Sequence, residues 1–192
     1  MAGITGDMYR DIERTLLSEA ELRETVAQLG RQISADYAEK NLLLVSVLKG
    51  SVVFMADLMR AVTIPCRIDF MAVSSYGAGT KSSGAVKILK DLDMPLAGVD
   101  LLLVEDILDS GKTLRYILEL LSAGKPGSVK ICTLLDKPVR RQVPLQADYV
   151  GAVVPDEFVV GYGLDYNERY RNLPIIGILK SEIYKTREGL SL

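Results

Sequence analysis

Hydrophobic and polar residues follow a helical period over residues 9–39. Apolar residues recur at helical spacing among charged ones in residues 9–30, and the pattern predicts a helix that Gly30 ends. Residues 31–39 are typical of a second helical stretch. The sequence therefore predicts two consecutive helices before the first strand.

A strand, turn and helix pattern follows and then recurs. Residues 42–48 form a continuous apolar run that ends in Lys49-Gly50, and residues 52–59 return to helical spacing. Similar strand patterns lie at 67–74, 101–104 and 128–135, with a helical pattern at 114–122. Strands separated by helices indicate an α/β fold with a mainly parallel sheet flanked by helices. In such sheets ligands bind at the carboxyl ends of strands, here the turns at Lys49, Glu105 and Asp136.

Residues 74–84 connect two predicted strands and are rich in glycine, serine and threonine. This composition is typical of an active-site lid, and an ordinary hairpin connection explains it equally well.

Composition narrows the class of protein. The chain has 192 residues, 48% of them hydrophobic and 25% charged, which suits one globular domain spanning residues 1–192. A net charge of -2 argues against a general nucleic-acid binder. No apolar run approaches the roughly 20 residues needed to cross a bilayer, and the N-terminal segment lacks the apolar stretch of a signal peptide. We expect a cytoplasmic protein with no membrane partner.

The absence of histidine restricts the available chemistry, because it removes the commonest general base and most zinc sites. The two cysteines, Cys66 and Cys132, lie in apolar contexts without a partner at metal spacing, so we expect buried thiols. Proton transfer and metal binding therefore fall to carboxylates and lysines.

The most informative segment, residues 104–113, reads VEDILDSGKT. A small-residue turn at a helix N-terminus, Ser110 to Thr113, offers free N–H groups to a phosphate. The neighbouring Glu105 and Asp106 can hold ribose hydroxyls or a hydrated Mg²⁺. The phosphate loop of nucleoside triphosphatases is excluded, because Asp106 stands where that motif requires glycine. A purely helix-capping role is the alternative, but clustered carboxylates repel one another without ligands.

Residues 104–113 resemble the phosphoribosyl pyrophosphate signature of type I phosphoribosyltransferases. The resemblance implies that Glu105 and Asp106 hold the ribose hydroxyls and associate with the metal, and that Asp109 is catalytic beside the imidazole ring of the base. It implies also that the 5′-phosphate is bound by Ser110, Gly111, Lys112 and Thr113.

The C-terminal third is similar to the 6-oxopurine branch of that family, the hypoxanthine-guanine phosphoribosyltransferases. Lys137 follows a predicted strand where that branch places a lysine against O6 of the base, and an ammonium prefers a carbonyl oxygen to the amino group of adenine. Taken alone, Lys137 also fits a solvated surface lysine.

Residues 155–171 complete the resemblance to this branch. They imply that Phe158 stacks on the purine, that Val159 contacts its edge, and that Asp165 lies by the base and reaches the metal. Arg171 then faces pyrophosphate. The blander interpretation makes Phe158 a core residue and Arg171 a surface partner of Glu168. Two further matches are Lys49-Gly50, similar to the pyrophosphate-binding loop, and Ser75-Tyr76, similar to the tip of the lid.

The resemblance implies a type I phosphoribosyltransferase fold, with a small hood built from the N-terminal segment and about residues 150–192. It implies transfer of the phosphoribosyl group to hypoxanthine or guanine, giving IMP or GMP and pyrophosphate, with Mg²⁺ as cofactor. A homodimer or homotetramer is expected. Two alternatives stay open: an RNA-binding regulator on the same fold, which needs a basic face, and a phosphoribosyltransferase for another base.

Overall fold

A computed structural model describes residues 7–75 and 86–185. Its helices and strands follow one another in this order: β1 Ile12–Leu17, α1 Glu19–Asp36, β2 Leu42–Leu48, α2 Val52–Ala61, β3 Arg67–Ser75, β4 Val86–Lys90, β5 Asp100–Leu108, α3 Lys112–Ala123, β6 Ser128–Asp136, β7 Tyr149–Val153, β8 Val159–Val160, β9 Ile176–Leu179 and α4 Ser181–Lys185.

A six-stranded sheet forms the centre of the fold, in the order β4-β3-β2-β5-β6-β7. The pairs β3–β2, β2–β5, β5–β6 and β6–β7 are parallel, and only the edge strand β4 runs antiparallel. Side chains of β2 and β5 enter two apolar clusters, one with α1 and α2 and the other with α3. This arrangement confirms the predicted mainly parallel sheet flanked by helices.

A smaller antiparallel sheet, the hood sheet, combines β1 with β9 and β8. Its centre is β9, which pairs with β1 on one side and with β8 on the other. Arg14 in β1 forms an ion pair of 2.7 Å with Glu157 beside β8. The predicted hood boundary near residue 150 was too early, because β7 pairs with β6 and so belongs to the large sheet.

The predicted helix over residues 9–30 was wrong at both ends. Residues 12–17 form β1 because they pair with β9, a distant partner that local periodicity does not reveal. Helix α1 begins at Glu19, where Ser18 and Glu21 form a reciprocal capping box. It continues past Gly30, whose missing Cβ allows Ala61 of α2 to approach, since an added Cβ would lie 2.6 Å from that residue's Cβ. Gly30 is a packing site and not a helix stop.

The third parallel strand also differs from its prediction. β5 extends to Leu108, so Glu105 and Asp106 lie within the strand and not beyond its end. The predicted second helix over residues 31–39 is not separate, because α1 continues through it and ends at Asp36. The remaining predicted strands and helices are confirmed with shifts of a residue or two at their ends. Cys132 is buried, whereas Cys66 is partly exposed, and burial raises the pKa of both thiols. None of the helices described is long and apolar enough to cross a membrane.

Candidate active site

Three segments that follow parallel strands meet at the same edge of the large sheet. β2 leads into Lys49 and Gly50, β5 into Asp109, and β6 into Lys137. Carboxyl ends of adjacent parallel strands share one edge, so the order β2-β5-β6 brings these segments side by side.

A cavity of about 180 Å³ lies against the turn between β5 and α3. Its lining includes Glu105, Asp109, Ser110, Gly111 and Thr113, so the structure brings these predicted phosphoribosyl-binding residues together. Gly111 is the N-cap of α3 with φ of 80°, and no side chain caps the helix. The uncapped N-terminus presents N–H groups of the kind that bind phosphate. Lys112 follows with an exposed side chain.

A second cavity of about 390 Å³ lies between the large sheet and the hood sheet. It is lined by Lys137, Phe158, Val159 and Asp165, the predicted base-binding residues, and also by Asp109. Lys137 is only 6% exposed. Its Nζ donates a hydrogen bond of 2.8 Å to the carbonyl oxygen of Glu157.

Asp109 lines both cavities and therefore stands in the wall that they share. Its Oδ1 is buried without a hydrogen-bond partner among the described residues. A buried carboxylate oxygen without a donor is costly, so a ligand that brings a proton to this point is favoured.

Phe158 is the aromatic residue of the larger cavity and is 37% exposed. Its ring meets Tyr166 edge to face, with centroids 5.6 Å apart. It also stacks on Tyr184 of α4 at 5.0 Å with an interplanar angle of 24°. Two aromatic neighbours fix the plane of the Phe158 ring.

Gly50, Asp106 and Gly163 pack against one another beside α2. A Cβ on Gly50 would lie 1.9 Å from Oδ2 of Asp106. A Cβ on Gly163, whose φ is 102°, would lie 2.0 Å from the carbonyl oxygen of Gly50. Glycine is therefore required at both positions for the loop after β2 to approach the carboxylate of Asp106. The peptide bond between Leu48 and Lys49 in this loop is cis.

The cations of this region are paired with acids. Arg171 contacts Oδ1 of Asp165 at 2.9 Å and donates to the carbonyl oxygen of Gly163 at 2.8 Å. Lys49 contacts Glu168 at 3.1 Å, and Glu168 reaches Arg171 at 3.4 Å. Lys49, Arg171 and Asp165, all predicted site residues, thus form one network through Glu168.

The two neighbouring carboxylates of β5 face different parts of the site. Glu105 lines the smaller cavity, whereas Asp106 lies against Gly50. Burial and the charge of Asp106 raise the pKa of Glu105 well above its usual range. Burial raises the pKa of Asp106 to about 6, although hydrogen bonds from the main chain and the charge of Arg171 lower it. A cationic ligand relieves both unfavourable charges.

No protein-only metal site exists in the part of the chain that the structure describes, since no three acidic or sulfur side chains come close enough to share an ion. Glu105, Asp106 and Asp165 are therefore not gathered around one point. Mg²⁺ commonly binds through one or two carboxylates together with substrate oxygens and water, a mode that this arrangement permits.

Glu168 was named from the sequence as a surface partner of Arg171, and the structure shows this pair together with a second one to Lys49. Glu168 follows Asn167, and both have positive φ. Other residues of the site were not predicted. Leu164 and Tyr184 line the larger cavity. The spacing of Gly161 and Gly163 was a visible signal for a close approach, but nothing local marks Tyr184. Tyr76 of the predicted lid tip lies outside the described residues, and Ser75 is the last residue of β3.

The sequence profile of the phosphoribosyl transferase domain matches residues 9–167. The chain therefore belongs to the phosphoribosyltransferase family, as the turn after β5 and the parallel sheet indicate.

Within that family its relatives include hypoxanthine-guanine phosphoribosyltransferases. It is 52% identical to the enzyme of that name from Bacillus subtilis, over 93% of this chain and 99% of the relative. It is 58% identical to the bifunctional protein TilS/HprT of Listeria innocua, but spans only 27% of that protein's length.

Solved structures give the same assignment. A hypoxanthine phosphoribosyltransferase from Staphylococcus aureus superposes with a TM-score of 0.90 and is 49% identical, covering 95% of this chain and 99% of that one. One from Trypanosoma cruzi superposes with a TM-score of 0.88 at 42% identity, covering 96% of this chain and 100% of that one.

Proposed function

We propose that the protein transfers the 5-phosphoribosyl group from phosphoribosyl pyrophosphate to hypoxanthine or guanine, giving IMP or GMP and pyrophosphate. The observation that carries this proposal is the position of Asp109 between the two cavities. On one side lies the turn at the N-terminus of α3, and on the other lies the cavity lined by the buried Lys137 and the partly exposed Phe158. One ligand that occupies both cavities has a phosphate at one end and a flat base at the other. A purine nucleoside monophosphate has this shape.

Base selection is assigned to Lys137 and Phe158. The Lys137 ammonium has three protons and gives one to the carbonyl oxygen of Glu157, which leaves donors for O6 of a 6-oxopurine. The amino group of adenine also donates there and so repels the ammonium. The Phe158 ring supplies a face on which the base stacks, and main-chain groups of Val159 contact its edge.

The phosphoribosyl donor is assigned to the opposite end of the site. N–H groups of Ser110 to Thr113 hold its 5′-phosphate. Glu105 and Asp106 accept hydrogen bonds from the ribose hydroxyls. Main-chain groups of Lys49 and Gly50 and the guanidinium of Arg171 bind pyrophosphate, for which a planar fork of donors is well suited. Pyrophosphate must then compete with Asp165 and Glu168 for the guanidinium of Arg171.

Mg²⁺ fits the residues present, because Asp106 and Asp165 offer hard oxygen ligands and the raised pKa of Asp106 marks an uncompensated charge. When bound, it stabilises the negative charge that builds up on the leaving pyrophosphate. Asp106 and Asp165 would hold it together with oxygens of the donor.

The reaction is a displacement at C1 of the ribose. The bond from C1 to the pyrophosphate oxygen breaks, and a bond from C1 to a purine nitrogen forms. Asp109 accepts the proton that the attacking purine loses from its imidazole ring, a role for which its unpartnered Oδ1 is placed. Lys137 stabilises the negative charge that spreads to O6.

The test is pyrophosphate release from phosphoribosyl pyrophosphate and Mg²⁺ with hypoxanthine, guanine, xanthine, adenine or uracil supplied in turn. We expect release with hypoxanthine or guanine. Release with adenine or uracil alone overturns the base assignment. If no base gives pyrophosphate release and the protein shifts the mobility of RNA in a salt-dependent way, the RNA-binding regulator is favoured.

For assembly we propose a homodimer or homotetramer of single-domain subunits. Val52 and Met59 of α2 are 39% and 38% exposed, which leaves apolar area beside the pyrophosphate loop. Light scattering during size-exclusion chromatography measures the mass directly, and a monomer of 21.0 kDa contradicts this proposal.

A further inference from the structure

The carbonyl groups of the turn after β5 are held from behind by the segment that follows β6. The carbonyl oxygen of Leu108 accepts from N–H of Lys137 at 3.0 Å, and that of Ser110 accepts from N–H of Gln142 at 3.0 Å. Arg141 supplies the remaining contacts, because its Nη1 donates to the carbonyl oxygen of Leu108 at 3.1 Å and also to that of Asp109. Three successive carbonyls are thus tied to one short segment.

These contacts determine where the N–H groups of the turn point. In a trans peptide the C=O of one residue and the N–H of the next point in opposite directions. Carbonyls of 108, 109 and 110 that face the segment after β6 therefore turn the N–H groups of 109, 110 and 111 away from it. The smaller cavity, which we call the phosphate cavity, is lined by Val47 and by residues between 105 and 114. Residues 137–142 lie in the described part of the chain, and none of them lines it.

Arg141 is itself fixed in place. Its Nη2 forms an ion pair with Oδ1 of Asp136, and the two side chains are 14% and 18% exposed. A planar guanidinium can bind a carboxylate and two carbonyls at once from separate nitrogens, whereas a lysine ammonium is a single point of charge. Gly111 packs against the same segment, since a Cβ there would lie 3.3 Å from Cδ of Arg141.

We infer that Arg141 is a positioning residue that orients the phosphate-binding N–H groups and the main chain of Asp109, an inference that rests on the proposed function. Arg141 touches neither cavity, so it acts only through the turn. Asp136 serves as its anchor. The same segment carries Lys137 into the base cavity, so one short stretch after β6 supports both ends of the ligand.

The test compares binding of IMP with binding of inosine, which has the same base and ribose but no phosphate. Arg141→Met is expected to raise Kd for IMP about 10-fold or more and Kd for inosine less than about twofold, because the N–H groups of the turn contact the phosphate, which inosine lacks. Arg141→Lys is expected to resemble Arg141→Met. Arg31→Met, which removes an exposed ion pair with Glu24 on α1, is the matched control.

Equal losses of IMP and inosine binding, or an unchanged Kd for IMP, overturn the inference. If Arg141→Met does not fold, Asp136→Ala removes the anchor alone and is judged by the same two ligands. Hydrogen exchange of residues 108–113 gives a readout that needs no ligand, and we expect faster exchange in the Arg141 variants. If wild type fails to bind IMP, the proposed function fails, and unchanged exchange then separately overturns the role of Arg141.

Discussion

Asp109 is the residue on which the proposed chemistry depends most directly. Its buried Oδ1 lacks a partner among the residues described, and under the proposed function its position between the two cavities places it beside the point where base and ribose join. Asp109→Asn keeps the shape but removes the proton acceptor, so turnover is expected to fall by roughly 10²-fold or more. Steady-state assays measure this, with Asp91→Asn on the exposed surface as control. Turnover near that of wild type contradicts a base role for Asp109.

Lys137 is predicted to control base choice more than donor binding. Lys137→Ala removes the one ammonium that the described residues place in the wall of the base cavity, while the phosphate turn keeps its contacts with the main chain. The ratio of kcat/KM for hypoxanthine to that for adenine is expected to drop by about 10-fold or more, with KM for phosphoribosyl pyrophosphate little changed. Lys180→Ala, at the surface next to α4, serves as control. Unchanged discrimination argues against the assignment.

The carboxylate of Asp106 predicts a stability that depends on pH. Its pKa in the folded protein is raised to about 6 from the usual 3.8, mainly by burial. Between these values the folded state holds a proton that the unfolded state releases, so stability falls as pH rises through about 4 to 6. Asp106→Asn is expected to flatten this slope and to raise the melting temperature of the metal-free protein at neutral pH. Thermal unfolding across this range checks it, and an unchanged slope contradicts it.

At the scale of the element, local pattern was sufficient where local contacts decide the structure. The apolar run of β2 and the helical spacing of α2 need no distant partner to be recognised, and both elements have the predicted positions. β1 was missed because its pairing with β9 joins opposite ends of the chain. Gly30 was misread because its reason is contact with α2, which only the packed structure contains.

The same distinction applies to the site. The turn of Ser110 to Thr113 and the acids before it are contiguous, so their chemistry is visible in the sequence. Tyr184 reaches the base cavity from α4 through tertiary packing, and its stack on Phe158 leaves no local signal.

The junction of β2 and α2 depends on a residue without a side chain. Gly50→Ala places a Cβ 1.9 Å from Oδ2 of Asp106, so the loop or the carboxylate must move. We expect KM for phosphoribosyl pyrophosphate to rise about 10-fold or more, since misplacement by about 1 Å has large effects on reaction rates. Gly127→Ala, where a Cβ would meet ordinary contacts of 3.5 Å or more, is the control. Equal kinetics for the two variants contradicts a requirement for glycine at 50.

At the scale of the molecule, the proposed function divides the ligand between the two sheets. The large sheet supplies the phosphate turn, and the hood sheet lines the base cavity with Glu13 of β1, Val159 of β8, and Ile178 and Leu179 of β9. The strands of the hood sheet come from both ends of the chain. Base binding is therefore expected to depend on the pairing of β1 with β9, whereas the phosphate turn belongs to the large sheet and is held by the segment after β6.

This division can be tested at Gly177 in β9, which is paired with Thr15 of β1 and Val160 of β8. A Cβ there would lie 2.8 Å from Cγ2 of Ile12, so in Gly177→Val the side chain of Ile12 or β1 itself must move. We expect KM for hypoxanthine to rise about 10-fold and KM for phosphoribosyl pyrophosphate to stay within about twofold.

Gly177→Val should also lower the melting temperature by about 2–4 °C for each 1 kcal/mol of unfolding free energy that is lost. This loss of stability does not by itself change the two KM values differently. Gly127→Val at the end of the large sheet away from the site is the matched control. A parallel rise of both KM values in Gly177→Val would mean that the hood sheet supports the whole cleft and not the base cavity. A selective rise for the base places the two halves of recognition on separate parts of the fold.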